Sequence, residues 1–205
     1  MARTSLDQLW ATARGLNRRS RWRKPLPPLL FVTDPGRTPD PAAIAKRLPR
    51  GAGIVFRAFG SPDALEQARR LAKIARRRGL VLLVGADERL AARTSAHGLH
   101  LPERLTRALP RLKAGRPRWI VTAAAHSPAA VRRAARLGAD AVLLSTIFES
   151  RSPSAGQPMG PVRLAAIARS APIPVYALGG VDMKNARRLG ASGVVGIAAV
   201  DAFRT

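Results

Sequence analysis

The sequence contains no cysteine, and it is poor in aromatic and acidic residues. The absence of cysteine excludes a disulfide framework and thiolate catalysis, and it is typical of the reducing cytoplasm, where we expect this protein to reside. Aromatic residues make up 4% of the 205 residues, so few side chains could stack on nucleic-acid bases. No run of about 18 apolar residues is present, and the sequence therefore predicts no membrane span and no membrane partner.

The shortage of acidic residues leaves a large excess of positive charge. The chain has 36 Lys and Arg against 12 Asp and Glu, a formal net charge of +24 at pH 7. The basic residues are spread over nearly every predicted helix, which favours solvated helix faces. Two other interpretations stay open, namely attraction of anionic ligands to a basic cleft, and nucleic-acid binding through the basic N-terminal segment.

Short apolar runs alternate with helical patterns from Leu29 onward. Because the runs are apolar on both faces, they predict parallel strands covered by helices. Eight such strands close into a (β/α)₈ TIM barrel without edges, and the last helix is truncated because only residues 201–205 follow the last strand. A doubly wound open sheet is the alternative, but no glycine-rich nucleotide turn follows the first strand. The predicted strands are Leu29–Thr33, Gly53–Arg57, Leu80–Val84, Gly98–Leu101, Trp119–Ala123, Ala141–Leu144, Val175–Leu178 and Val194–Ile197.

The sequence predicts two parts, a basic N-terminal extension at 1–27 and a barrel domain at 28–205. Apolar residues at helical spacing predict a helix from about Ser5 to Leu16 within the extension. We expect this extension to pack loosely. In the barrel, the clearest helix covers Pro62–Arg78, with Ser61 as its N-cap and a glycine directly after its end.

Glycines near the predicted strand ends indicate a phosphate site. In a parallel barrel, the loops after the last two strands commonly hold a phosphate. Gly179 and Gly180 follow the seventh strand, Gly196 and Ile197 lie at the eighth, and Gly160 begins a helix. Glycine lets main-chain N–H groups approach an anion, and the start of the following helix would favour it. A plain tight turn is the alternative for the glycine pair.

Four polar side chains are candidates for chemistry at the same rim. His126 lies just past the fifth strand, where a histidine can transfer protons near neutral pH, although a lone histidine is also a common structural residue. Glu149 precedes a long loop, and the alternative is a solvated carboxylate. Arg57 ends the second strand and would bind a phosphate or carboxylate, or else form a surface ion pair. We expect His100 to be packed inside the barrel, and the histidine spacing predicts no metal site.

These residues lie in sequence blocks that resemble the thiamine-phosphate synthase and thiazole tautomerase family. The resemblance covers about Leu29 to Val200. It rests on GLHL at 98–101, AHS at 125–127, GADAVLLSTIFES at 138–150, PVYALGGV at 174–181 and GASGVVGIAAV at 190–200. It implies a TIM barrel that acts on phosphorylated heterocycles in thiamine biosynthesis.

The sequence departs from the family pattern at the positions that the resemblance implies for binding the pyrimidine diphosphate. Synthase members carry Gln-x-Arg-x-Lys on the second strand, and positions 55–59 keep only Arg57. Their Asn-Asp pair corresponds to Gly85-Ala86, their Gly-Gln-x-Asp to 102–105, and their Thr-x-Thr-Lys to 150–153. The missing groups would bind a diphosphate and Mg²⁺. The residues that the resemblance implies for binding the thiazole phosphate match the family pattern better.

The pattern leads first to a thiazole tautomerase-like enzyme or a divergent relative. The resemblance implies that His126 moves a proton, Glu149 assists, the glycines hold phosphate and Arg57 holds a carboxylate, with no cofactor. The alternative is a thiamine-phosphate synthase that needs Mg²⁺ on displaced ligands such as Asp87 and Glu103. A non-catalytic protein that binds a phosphate ligand or nucleic acid is a third hypothesis. The expected partner is a small phosphorylated substrate, and a homodimer is left open.

Overall fold

Eight parallel strands form a closed barrel in the order of the sequence, with β8 paired to β1. The computed structural model describes residues 4–152 and 155–203. The prediction of a (β/α)₈ barrel is confirmed. The strands are β1 (Leu29–Val32), β2 (Gly53–Phe56), β3 (Val81–Gly85), β4 (Gly98–Leu101), β5 (Ile120–Ala125), β6 (Ala141–Leu144), β7 (Val175–Ala177) and β8 (Gly196–Ala199).

Helices cover the outside of this barrel. None of the helices in the described ranges is both long and apolar enough to cross a membrane. Within the described ranges, 3₁₀ helices occupy 103–108, 186–189 and 201–203. The α-helices are α1 (Ser5–Arg19), α2 (Pro41–Arg47), α3 (Ala64–Arg78), α4 (Glu88–Arg93), α5 (Leu109–Gly115), α6 (Pro128–Arg136) and α7 (Gly160–Ser170).

Ser127 and Gly79 mark the start of α6 and the end of α3. Ser127 accepts a hydrogen bond from the Ala130 N–H at 3.1 Å and begins α6. Gly79 ends α3 in the left-handed conformation, with φ +64°. The N-cap predicted for α3 was wrong, because Asp63 takes that position while the Ser61 hydroxyl donates to its carboxylate.

The largest error in the predicted elements concerns the last quarter of the chain. The eighth strand was predicted at Val194–Ile197, but β8 is Gly196–Ala199. The apolar run continues from Val194 to Val200, so its composition could not place the ends of the strand. After β7, the predicted helix is reduced to the 3₁₀ turn Ala186–Leu189.

Side chains inside the barrel fill its amino-terminal end. Leu26 packs there with Leu30 and Tyr176, all of them buried. The Tyr176 hydroxyl donates a 2.7 Å hydrogen bond to the Pro27 carbonyl, and burial raises the pKa of this phenol. The interior is therefore packed at this end, and the functional cavity has to form at the carboxyl ends of the strands.

Helix α1 packs directly against the barrel, in contrast to the loose packing expected for residues 1–27. Leu9, Ala13 and Leu16 are buried in the outer core. The helix lies against β8 and β1, and the Asn17 amide donates to the Val195 carbonyl at 3.0 Å. The described chain after β8 ends in the 3₁₀ turn at 201–203, and α1 covers the outside of β8 and β1.

Candidate active site

A cavity of about 1380 Å³ opens at the carboxyl ends of the strands, and we call it the mouth cavity. Its lining includes Arg57, His126, Glu149, Gly179 and Gly180, which follow four different strands. Parallel strands all end at one rim, so residues far apart in the sequence meet there. Cavities that hold one small ligand usually measure about 300–1,000 Å³. The mouth cavity therefore has room for more than one small molecule.

Gly179 and Gly180 bring the loop after β7 against the loop after β6. Their φ angles are +92° and +64°. A Cβ on Gly180 would lie 2.1 Å from the Glu149 carbonyl oxygen, and one on Gly179 would lie 2.9 Å from Thr146 Cγ2. Over the described residues, neither glycine N–H has a hydrogen-bond acceptor. Both donors are thus available to a ligand, but no α-helix start follows them to add its dipole.

Three predicted binding residues lie outside the lining of the mouth cavity. Gly160 begins α7, and its N–H donates to the Ile147 carbonyl at 3.0 Å. Gly196 begins β8 instead of following it, and a Cβ there would lie 2.2 Å from the Pro28 carbonyl oxygen. Ile197 is fully buried beside Leu29 of β1. The placement of Gly196 and Ile197 at the mouth was wrong, because the strand begins two residues later than predicted.

Arg57 is held in place by the loop after β1. Its Nε donates to the Thr33 carbonyl at 2.7 Å, and its Nη2 lies 3.2 Å from Asp34 Oδ2. Arg37 bridges Asp34 and Asp201 at 3.1 Å each. Burial lowers the pKa of the Arg57 guanidinium and Asp34 opposes this effect, so the group stays charged. Burial would raise the pKa of Asp34, but the two arginines together keep it below its ordinary value.

Arg57 therefore lines the mouth cavity, as predicted, and it also forms the ion pair that was predicted as the alternative. The guanidinium is oriented before any ligand binds, which reduces the entropy lost on binding an anion.

His126 is oriented by a carboxylate that the sequence analysis assigned elsewhere. Glu103 Oε2 accepts hydrogen bonds from the His126 main-chain N–H at 3.1 Å and from its Nδ1 at 2.9 Å. Glu103 Oε1 accepts one from Arg133 at 2.6 Å. Burial would raise the pKa of Glu103, but the bonds from His126 and Arg133 outweigh it and leave this pKa below its ordinary value.

This bond assigns the proton of a neutral His126 ring to Nδ1, which leaves Nε2 as the basic nitrogen. Glu103 and His126 are 23 residues apart, and only the pairing of β4 with β5 brings them together. No local sequence signal joins them.

Glu149 lines the mouth cavity and is exposed. Within the described ranges, its carboxylate forms no hydrogen bond or ion pair, including with His126. The structure therefore places Glu149 at the correct rim without a fixed orientation. Its assistance in proton transfer stays a prediction.

His100 and Phe59 also line the mouth cavity. His100 is packed in the barrel interior, where its Nδ1 lies 3.0 Å from the Thr122 hydroxyl and burial lowers the pKa of the ring to about 3. It is therefore neutral at physiological pH. Phe59 is exposed at the rim with φ +48°, and the Arg57 guanidinium lies 5.0 Å from its ring centroid. No pattern in the sequence singles out Phe59, although exposed aromatic residues at a cavity often contact ligands.

Asp87 and Glu103 do not form a Mg²⁺ site at the mouth. Asp87 accepts the Leu90 N–H at 2.8 Å and caps α4, while Glu103 binds His126 and Arg133. In the chain as described, no group of three or more His, Cys, Asp or Glu residues could hold a metal ion. The displaced ligands considered for a synthase, Asp87 and Glu103, thus have other partners.

Comparisons with known proteins agree with the fold. The model of a family described as thiamine monophosphate synthase matches residues 29–203. A thiamine-phosphate synthase of Halorhodospira halophila is 34% identical over 167 residues, which cover 78% of this chain and 79% of that one. A thiamine phosphate pyrophosphorylase of Pyrococcus furiosus superposes with a TM-score of 0.73 at 26% identity, over 84% of each chain.

Other relatives are matched over only part of their length. The chain is 31% identical to the thiamine biosynthesis bifunctional protein ThiM/ThiE of Symbiobacterium thermophilum over 196 residues, which cover 40% of that protein. It covers 66% of a relative from Aquifex aeolicus at 34% identity.

Proposed function

Because the chain belongs to the thiamine monophosphate synthase family, we propose that it is an enzyme of thiamine biosynthesis that binds a thiazole phosphate in the mouth cavity. The proposed reaction is the synthesis of thiamine phosphate. In this reaction the thiazole nitrogen forms a bond to the methylene carbon of hydroxymethylpyrimidine diphosphate, the carbon–oxygen bond breaks, and diphosphate leaves. The observation that carries this choice is the cavity of about 1380 Å³, which has room for both substrates.

Different residues of the rim are proposed to bind the two substrates. The free N–H groups of Gly179 and Gly180 would bind the thiazole phosphate. The oriented guanidinium of Arg57 would bind the diphosphate and meet the negative charge that develops as it leaves. Three exposed arginines without an ion pair in the described chain, Arg89, Arg104 and Arg151, line the same cavity. Since Asp87 and Glu103 have other partners, no step is routed through a metal.

The synthase proposal is tested by supplying both substrates and measuring thiamine phosphate by chromatography. We expect Arg57→Met to weaken binding of the pyrimidine diphosphate by about tenfold to a hundredfold, because a charge-assisted bond contributes about 1.5–3 kcal/mol. Titration calorimetry would measure this affinity. Arg93→Met removes an exposed arginine from α4 and serves as the control. Absence of thiamine phosphate from the wild-type reaction excludes the synthase, and unchanged affinity in Arg57→Met excludes the role of Arg57.

The second candidate is a thiazole tautomerase, and the His126–Glu103 pair favours it. In this reaction, Nε2 of His126 would take a proton from one position of a thiazole carboxylate phosphate and return it at another, so that the ring becomes aromatic. Glu103 would hold the ring and stabilise its protonated form. No cofactor is required. This reaction needs one substrate and would use only part of the mouth cavity.

For this candidate, we expect His126→Ala to reduce the rate of thiazole aromatisation by at least about a hundredfold. Glu103→Gln, which keeps the shape but loses the charge, should reduce it by about tenfold. Because the pKa of Glu103 lies below its ordinary value, its bond to His126 should persist through the ordinary carboxyl titration range and be lost only at lower pH. Proton NMR of the product and of the His126 ring would measure both effects. An unchanged rate in His126→Ala removes this mechanism.

Binding of thiazole phosphate without either reaction would identify a non-catalytic phosphate-binding protein. The cytoplasmic location stays part of the proposal, and native mass spectrometry would determine whether a homodimer forms.

A further inference from the structure

Acidic side chains are distributed very unevenly between the two ends of the barrel. Ten of the 12 acidic residues lie after a strand or at the start of the next helix, on the side of the mouth cavity. Of the other two, Asp7 lies in the first turn of α1, and Asp140 precedes β6. Asp140 is neutralised by Lys113 at 2.9 Å and by Lys24 at 3.5 Å. The amino-terminal face of the barrel therefore carries almost no free negative charge.

A cluster of exposed cations lies on this face where α2 and α3 end. It consists of Lys46, Arg50, Arg76, Arg77 and Arg78, and we call it the basic patch. The two segments are in contact: Arg78 donates to the Leu48 carbonyl at 3.0 Å, and the Gly51 N–H donates to the Gly79 carbonyl at 2.9 Å. None of the five forms an ion pair with a carboxylate of the described ranges.

The N-terminal basic residues extend the same face. The chain from Ser20 to Pro27 passes beneath the barrel, where the Arg21 guanidinium donates to the Ala171 carbonyl at the end of α7. Lys24 lies beside Asp140 at the start of β6. The basic residues that the sequence analysis placed in a separate extension are thus continuous with the face that carries the basic patch.

Helix dipoles explain only part of this charge. A cation near the carboxyl end of a helix is stabilised by about 0.3–1 kcal/mol, and the effect falls off within the last turn. Three successive arginines at the end of α3, with Arg50 in the next loop beside them, exceed what this effect explains and repel each other. Such crowding is favourable when an anionic partner neutralises the cations together.

We propose that the basic patch binds the phosphate backbone of nucleic acid without sequence preference. A membrane surface fits less well, because the exposed large apolar side chains Phe59, Leu105 and Val162 all follow strands or begin a helix on the mouth side. The basic face thus offers no exposed large apolar side chain, over the described residues, to insert among lipids. The scarcity of aromatic residues likewise favours contacts to phosphates over stacking on bases.

The test measures binding of a labelled single-stranded RNA of about 20 nucleotides by fluorescence anisotropy between about 50 and 300 mM salt. Five phosphate contacts to a single strand predict a slope of log K against log salt of about −3.5. Replacing Arg76, Arg77 and Arg78 together by Gln should bring this slope about 2 units closer to zero and weaken binding at least about tenfold. The double variant Lys46→Gln/Arg50→Gln, on a separate segment, should bring the slope about 1.4 units closer to zero.

The matched control removes the same number of exposed arginines from the mouth, as Arg89→Gln/Arg104→Gln/Arg151→Gln. It should keep the wild-type slope, and circular dichroism confirms that each variant is folded. An equal loss in this control would place binding at the mouth and overturn the proposal. Equal slopes for wild type and both patch variants would also overturn it, as would tighter binding to anionic phospholipid vesicles than to RNA.

Discussion

Replacing Gly180 by alanine should eliminate ligand binding in the mouth cavity and lower the free energy of unfolding by several kcal/mol. A non-glycine residue at φ +64° costs about 1–3 kcal/mol by itself. The added methyl group would also lie 2.1 Å from the Glu149 carbonyl oxygen and 2.6 Å from that of Phe148. Both are main-chain atoms that cannot rotate away. The loops after β6 and β7 would have to separate, which displaces the two N–H groups proposed to bind phosphate.

The matched control for this prediction is Gly156→Ala. Gly156 lies in the loop that follows β6, and a Cβ there would have no atom within 4 Å. We expect this variant to keep both the affinity and the stability of the wild type. Titration with inorganic phosphate and thiazole phosphate, together with urea unfolding, would measure the two effects. Wild-type affinity in Gly180→Ala would contradict the proposed phosphate site.

The second large effect concerns α1 and the stability of the whole barrel. We expect Leu9→Ala and Leu16→Ala each to lower the free energy of unfolding by about 2–5 kcal/mol, because both side chains are almost fully buried against the barrel. Domains of this size are stable by only about 5–15 kcal/mol. The double variant should therefore be largely unfolded at room temperature, even though both substitutions lie outside the (β/α) repeat.

Urea unfolding followed by circular dichroism measures this effect. Arg18→Ala, at an exposed position of the same helix, should leave stability within about 0.5 kcal/mol of the wild type. A small loss of stability in the double variant would mean that α1 packs loosely, as the sequence alone led us to expect. The observed core contacts predict the opposite result.

The elements of the barrel were predictable because their signals are local. β4 and β6 have the predicted bounds, since turn residues flank short apolar runs on both sides. Ser127 and Gly79 mark helix ends through hydrogen bonds and φ angles that depend on neighbouring residues. The bounds of β8 were missed because its apolar run is longer than the strand, and only pairing with β1 and β7 selects which residues belong to it.

The sequence by itself determined the order of the elements, the closed parallel barrel and the rim where Arg57, His126 and the glycine pair meet. These follow from hydrophobic periodicity and from the fact that parallel strands all end on one side. Tertiary structure alone decided the partner of His126, the packing of α1 and the burial of Gly196. Each of those depends on contacts between segments far apart in the chain, whose register is set by packing and strand pairing.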